Sequence, residues 1–301
     1  MTPKTLKLLT FGLTSLVVAL VVTFGLYVPY LKAYNLVHPA RVPFERFPAA
    51  VGIAHYEEVH FTTSDNLTLK GWYVPPQGKG VVIFLHGLGS DRTELLDEAG
   101  LVVADGYGAL LFDLRSCGQS DGKVATMGYL ERRDVRAAVD FVHSRAGADF
   151  PVALFGHSMG AGTALLSAAE MPEVGAVIVE SAFTTLEDNV NDGVRALTGL
   201  PPFPFAGLVV FFSEQETGLN LHTIRPLDVI AQISPRAVLL IHGEKDAVIP
   251  VHNSITLYAA AKEPKQLYIL PAATHGLFLQ AEPKVFPETV LRFLNTYLKK
   301  P

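Results

Sequence analysis

Apolar and polar positions fall into three regimes along the chain. Residues 8–31 carry no charge, and Leu8 to Val28 is rich in Leu, Val and Phe. As a helix rising 1.5 Å per residue, that run is long enough to cross a ~30 Å hydrocarbon layer. Glu57–Phe61 and Leu67–Val74 are two β-rich runs, and Ser64, Asp65 and Asn66 between them supply turn chemistry, which predicts a hairpin. From Val81 onward, short apolar runs alternate with helix-length segments. The runs Val81–Leu85, Ala109–Phe112, Val152–Phe155, Ala176–Val179, Ala237–Ile241 and Gln266–Leu270 read as buried strands. Helices are predicted within Thr93–Asp105, over Tyr129–Arg145, after Ser158, over Val251–Ala261 and over Phe286–Leu298. Eight strands in this alternation predict an α/β fold, a mostly parallel sheet with helices on both faces.

The apolar N-terminal run has two readings. Tyr27, Tyr30 and Tyr34 lie at its far end, where an interfacial aromatic belt would sit. A cleaved signal peptide would have a shorter apolar core and a small-residue cleavage site, and none follows Val28. The expectation is a single-pass anchor over residues 1–31. Basic residues flank both ends, so the charge count does not orient it. A very short N-terminal tail is the easier end to leave in the cytoplasm, which places the main domain outside. Val37–Pro48 holds three prolines and no clear period, so residues 32–54 are expected to form an extended linker, and residues 55–301 the globular domain.

Composition narrows the function classes. The chain has 301 residues, 49% hydrophobic and 18% charged, enough for one full core. Residues 1–46 carry five basic groups against Glu45, leaving 19 basic and 28 acidic groups beyond. A main domain with a net charge of −9 does not suit a phosphate backbone, so nucleic-acid binding is set aside. The one cysteine, Cys117, excludes an intrachain disulfide and a cysteine-based zinc site. No local ligand motif calls for a metal, and nothing calls for a cofactor.

The chemistry gathers where strands end. Gly156-His157-Ser158-Met159-Gly160 is a G-x-S-x-G match placed between a predicted strand and a predicted helix, the setting of a nucleophile elbow. There the glycines avoid clashes with neighbouring elements, and the serine hydroxyl points out of the sheet. His157 is expected to direct its ring elsewhere. Of ten histidines, His275 follows the strand ending at Leu270 and precedes the final helix, so it suits a general base. The orienting acid should also follow a strand, and Glu244 and Asp246, after Ala237–His242, both qualify. An oxyanion site needs two amides aimed at one point. Met159, after the serine, and Leu88, in the turn His86-Gly87-Leu88-Gly89-Ser90, are the candidates.

With these motifs assembled, the chain resembles the alpha/beta-hydrolase-fold serine hydrolases over roughly residues 55–300. The likeness rests on His86-Gly87, Gly156–Gly160, Gly243-Glu-Lys-Asp246 and Thr274-His275-Gly276, and on the chain order Ser, Asp, His. It is most similar to a membrane-anchored branch related to serine aminopeptidase-like and monoacylglycerol-lipase-like hydrolases, through Glu57–Val74, Asp113–Gly122 and Glu180–Thr185. That resemblance implies Asp246 rather than Glu244 as the acid, and a small cap inserted at about residues 184–235. It also implies hydrolysis of a small-molecule or lipid-like ester. The branch usually has Arg-Gly where this chain has Arg115-Ser116. Two other readings stay open. One is a peptidase, with Glu187, Asp188 and Asp192 as amine-binding carboxylates. The other is a membrane-tethered binding protein without activity. Oligomeric state is not legible.

Overall fold

The computed structural model describes residues 2–41, 43–199 and 201–298, without the side chains of residues 197 and 198. Val42 of the expected linker and Leu200 of the expected cap lie outside the described residues, as do residues 1 and 299–301.

The chain opens with helix α1 (Pro3–Val22), capped by the Thr2 hydroxyl, which accepts from the amide of Thr5. A π-helical turn (Thr23–Tyr27) joins it to α2 (Val28–Val37). In that turn the amide of Val28 donates to the Thr23 carbonyl, five residues back. The widened turn directly precedes Pro29, which has no N–H and whose ring would crowd the carbonyl four residues earlier. The combined helix Pro3–Val37 has a mean hydropathy of 2.2 over its most apolar stretch, and none of that stretch is buried against the protein. Its length and composition suffice to cross a membrane.

The globular part is built on eight strands: β1 (Glu57–Thr62), β2 (Thr68–Val74), β3 (Val81–Leu85), β4 (Gly108–Phe112), β5 (Val152–His157), β6 (Val174–Glu180), β7 (Ala237–Gly243) and β8 (Lys265–Leu270). They form one sheet in the order β1-β2-β4-β3-β5-β6-β7-β8. The β1–β2 and β2–β4 pairs are antiparallel and all others parallel. Every residue of β3, β4, β5 and β7 is buried, the pattern of strands covered on both faces. Helices α3 (Leu96–Ala104), α4 (Glu131–Ala146) and α5 (Met159–Glu170) follow β3, β4 and β5 in turn. Between β6 and β7 the chain makes α6 (Leu186–Thr198), α7 (Phe205–Thr217) and the short α8 (Pro226–Val229). Helix α9 (His252–Ala260) separates β7 from β8, and α10 (Phe278–Ala281) and α11 (Val285–Tyr297) close the chain. The core divides at the sheet. Leu85, Leu154, Val177 and Leu240 face one side, and Phe84, Phe155, Ile178 and Leu239 the other.

The expected fold class is thus observed, with eight strands in a mostly parallel sheet and the β1–β2 hairpin at one edge. The expected extended linker is not. Helix α2 continues through Val37, with Pro29, Ala33 and Val37 buried. The Val37 carbonyl accepts the amide of Ala125, at 2.8 Å. The Arg41 guanidinium donates to the carbonyls of Gly118, Ser120 and Gly122, Phe44 meets Trp72 edge-on, and Pro48–Val51 forms a 3-10 turn. Prolines spaced through a segment signal extension, but they do not exclude docking when apolar and cationic side chains between them find partners. The cap's α7 packs on α2 through Tyr30 and Phe212, whose rings meet edge-on with centroids 5.7 Å apart.

Candidate active site

The turn from β5 into α5 holds Ser158 at φ 54° and ψ −116°, a conformation that costs a non-glycine residue about 1–3 kcal/mol. Packing on both sides sustains it. A Cβ on Gly156 would lie 2.3 Å from the Gly160 carbonyl oxygen, and one on Gly160 would lie 2.0 Å from the Leu85 carbonyl oxygen. Neither neighbour is a flexible side chain, so only glycine permits α5 to cross so close to β3 and β5. The Ser158 amide is fixed by donation to the Glu180 carbonyl at the end of β6.

Loops at the carboxyl edge bring the partners in. The Ser158 hydroxyl lies 3.1 Å from His275 Nε2, and His275 Nδ1 lies 2.8 Å from Asp246 Oδ2. A carboxylate only accepts, so Nδ1 carries the proton and Nε2 is free to accept from the serine. Asp246 is held from four directions. Its Oδ2 also accepts from the Ser181 hydroxyl at 2.7 Å, and its Oδ1 accepts from the amides of Val248 and Ile249, each at 2.9 Å. Burial alone would raise this carboxyl. The hydrogen bonds from the histidines and the Ile249 amide outweigh it and hold Asp246 well below the usual carboxylate range. Glu244, the competing acid, is exposed.

The two expected amides face no protein acceptor. Among the described residues, neither Leu88 N–H nor Met159 N–H makes a hydrogen bond. The loop carrying Leu88 is braced from below. His86 Nε2 accepts the Leu114 amide at 3.0 Å, which leaves Nδ1 as the donor to the Gly87 carbonyl at 2.7 Å. Arg92 makes a forked pair with Asp113, both buried, and lies over the rings of Trp72 and Phe44. A buried, bidentate arginine–carboxylate pair fixes orientation as well as charge. Arg115 makes a second such pair with Asp134, and Ser116 beside it sits at φ 66°, the left-handed region where the resembled branch has glycine. Burial pushes the Cys117 thiol up to about 12, so it is a packing residue.

Several neighbours of the site were not foreseen. His157 does not turn away. Its ring lies 4.8 Å from that of His275, centroid to centroid, and its Nδ1 is 3.7 Å from Glu180 Oε2. Burial pushes His157 down to about 4, so it is neutral near pH 7. Glu180 is fully buried with Oε1 unpartnered, and burial raises it well above the carboxylate range. Glu94 accepts the Gly87 amide at the lip of the site. His157 lies inside the G-x-S-x-G motif and Glu180 opens the resembled stretch Glu180–Thr185, but neither signal says where these side chains point, and Glu94 lies in no motif. The carboxylates considered for amine recognition have other partners: Asp188 accepts from the Thr184 hydroxyl, and Asp192 faces His252 and Asn253.

Comparison with known proteins bears on this geometry. The family model described as serine aminopeptidase, S33, matches residues 76–210. The uncharacterized protein YqkD of Bacillus subtilis is 30% identical over 230 residues, 75% of each chain. The chain belongs to the alpha/beta-hydrolase family. The uncharacterized protein YfhR of Escherichia coli K12 is 28% identical over 80% of this chain and 81% of its own. Among solved structures, the Pyrococcus furiosus esterase Pf2001 superposes with a TM-score of 0.74 at 27% identity, covering 88% of this chain and all of that one. These relationships support hydrolase activity.

Proposed function

We propose that this alpha/beta hydrolase is a serine esterase that cleaves carboxylic esters through an acyl-enzyme. The observation that carries the reading is the continuous relay from the Ser158 hydroxyl to His275 to Asp246, at 3.1 and 2.8 Å, beside two unengaged amides. His275 Nε2 takes the serine proton as Oγ attacks the carbonyl carbon. The amides of Leu88 and Met159 receive the oxyanion. Asp246 keeps the Nδ1 tautomer and stabilises the imidazolium. His275 then returns its proton to the leaving alcohol, and water repeats the cycle to free the acid. The esterase Pf2001, which this chain resembles along most of its length, supports an ester rather than an amide bond. The apolar Pro3–Val37 helix supports a membrane-anchored enzyme acting on acyl or lipid-like esters.

Two measurements test it. A fluorophosphonate probe should label the folded chain and leave Ser158→Ala unlabelled, with ester turnover falling by about 10³-fold or more. Normal ester hydrolysis by that variant would remove Ser158 from the mechanism. A chain-length series of synthetic esters beside aminoacyl amides separates esterase from peptidase: faster cleavage of the amides would reverse the choice.

A further inference from the structure

We propose that Phe203 to Phe211, the residues that lead into and open α7, form a second membrane-seated element that enters the bilayer surface beside the N-terminal helix. The inference rests on the reading that Pro3–Tyr27 spans a membrane, and it adds a contact that the spanning helix does not predict. Two contacts give the direction of α7. Phe212 meets Tyr30 at 5.7 Å, and Glu216 lies 3.3 Å from His38. Tyr30 is the nearer of the two to the apolar span, so α7 points its beginning toward that span and its acidic end away from it. At 1.5 Å per residue, Phe205 lies about 10 Å further along α7 than Phe212.

The side chains on that leading half match a lipid environment. No charged residue occurs between Arg195 and Glu214, whereas Glu214 and Glu216 follow on the trailing turn. Phe203 is 87% exposed and Phe211 50% exposed, while Ala206, Val209 and Val210 face the protein. The helix thus uses one apolar face for packing and leaves a second uncovered. Isolated apolar exposure is ordinary, but these aromatics are exposed on the helix that packs against Tyr30, next to an N-terminal helix whose apolar side chains are also exposed. The occupant that fits is the phospholipid headgroup and acyl boundary, where amphipathic and aromatic segments seat ~5–10 Å deep.

Tryptophan scanning of the full chain in phosphatidylcholine vesicles brominated on the acyl chains tests this. Trp72 is buried and supplies a constant background. Phe203→Trp and Phe211→Trp should each lose about half of the added emission, as expected for a group at the acyl boundary. Val285→Trp, exposed on α11, should lose none. Leu13→Trp in the middle of α1 reports the anchor separately. Quenching at position 13 without quenching at 203 and 211 overturns the proposal and leaves the anchor standing. No quenching at position 13 removes the anchor and the proposal together. Emission from Phe203→Trp that shifts to the blue without any bromine dependence would mean that a second protein surface covers α7, and would also overturn it.

Discussion

Asp246 accepts hydrogen bonds from Ser181, Val248, Ile249 and His275, and in the proposed mechanism only the last bears on catalysis. The other three set where the carboxylate points. Asp246→Asn should therefore fold normally while its amide group disfavours the Nδ1–H tautomer of His275. Ester turnover should fall by about 10³–10⁴-fold with melting temperature nearly unchanged, measured by steady-state kinetics beside a thermal melt. Glu98 behaves differently. Burial pushes it up to about 7 from an ordinary 4.5. The folded chain then keeps a proton that the unfolded chain releases, so this group's contribution is full below pH 4.5 and is lost as pH rises toward 7. His157, pushed down to about 4, runs the other way, and its contribution is lost as pH falls from 6.5 toward 4. Glu98→Gln removes the first effect. Relative to the parent chain it should gain up to about 3 kcal/mol between pH 5 and pH 8, read from urea midpoints.

The elbow shows what an element can demand of single positions. Gly160→Ala places a methyl group 2.0 Å from a backbone oxygen of β3, which no rotamer change relieves. The chain should lose more than about 3 kcal/mol or fail to accumulate folded, checked by denaturant unfolding and soluble yield. This segment was legible because strand, turn and helix each have a local signature, and the glycine spacing ties them together. The meeting of Ser158, Asp246 and His275 was legible for the same reason: each follows a strand, and the sheet brings those strand ends together. Choosing Asp246 over Glu244 needed family resemblance, since both carboxylates follow β7. His157 and Glu180 were not legible, because their meeting depends on the β5–β6 register, which pairs them side by side. The 32–54 segment, expected to be extended, was misread for a third reason. Proline spacing reports local backbone preference, whereas Arg41 and Phe44 find partners 28 or more residues away in the chain.

In the whole molecule, the N-terminal helix does two jobs that separate along its length. α1 has no buried residue, while α2 buries Pro29, Ala33 and Val37 and packs on α7 through Tyr30 and Phe212. Deleting residues 1–22 should leave a folded, active hydrolase with a melting temperature close to the parent's in detergent. Deleting residues 1–41 uncovers the α7 face and removes the Arg41 contacts, and should cost about 2–5 kcal/mol, read from thermal or urea unfolding of the two truncations. The same division has a consequence for reach. A catalytic head on slack cord sweeps a hemisphere, and its site meets the bulk phase at any height. Here the last turns of the helix are bolted to the head by Val37, His38 and Arg41. If the helix enters a membrane as proposed, the site stands at one fixed elevation above that surface and would select its substrate by depth before shape.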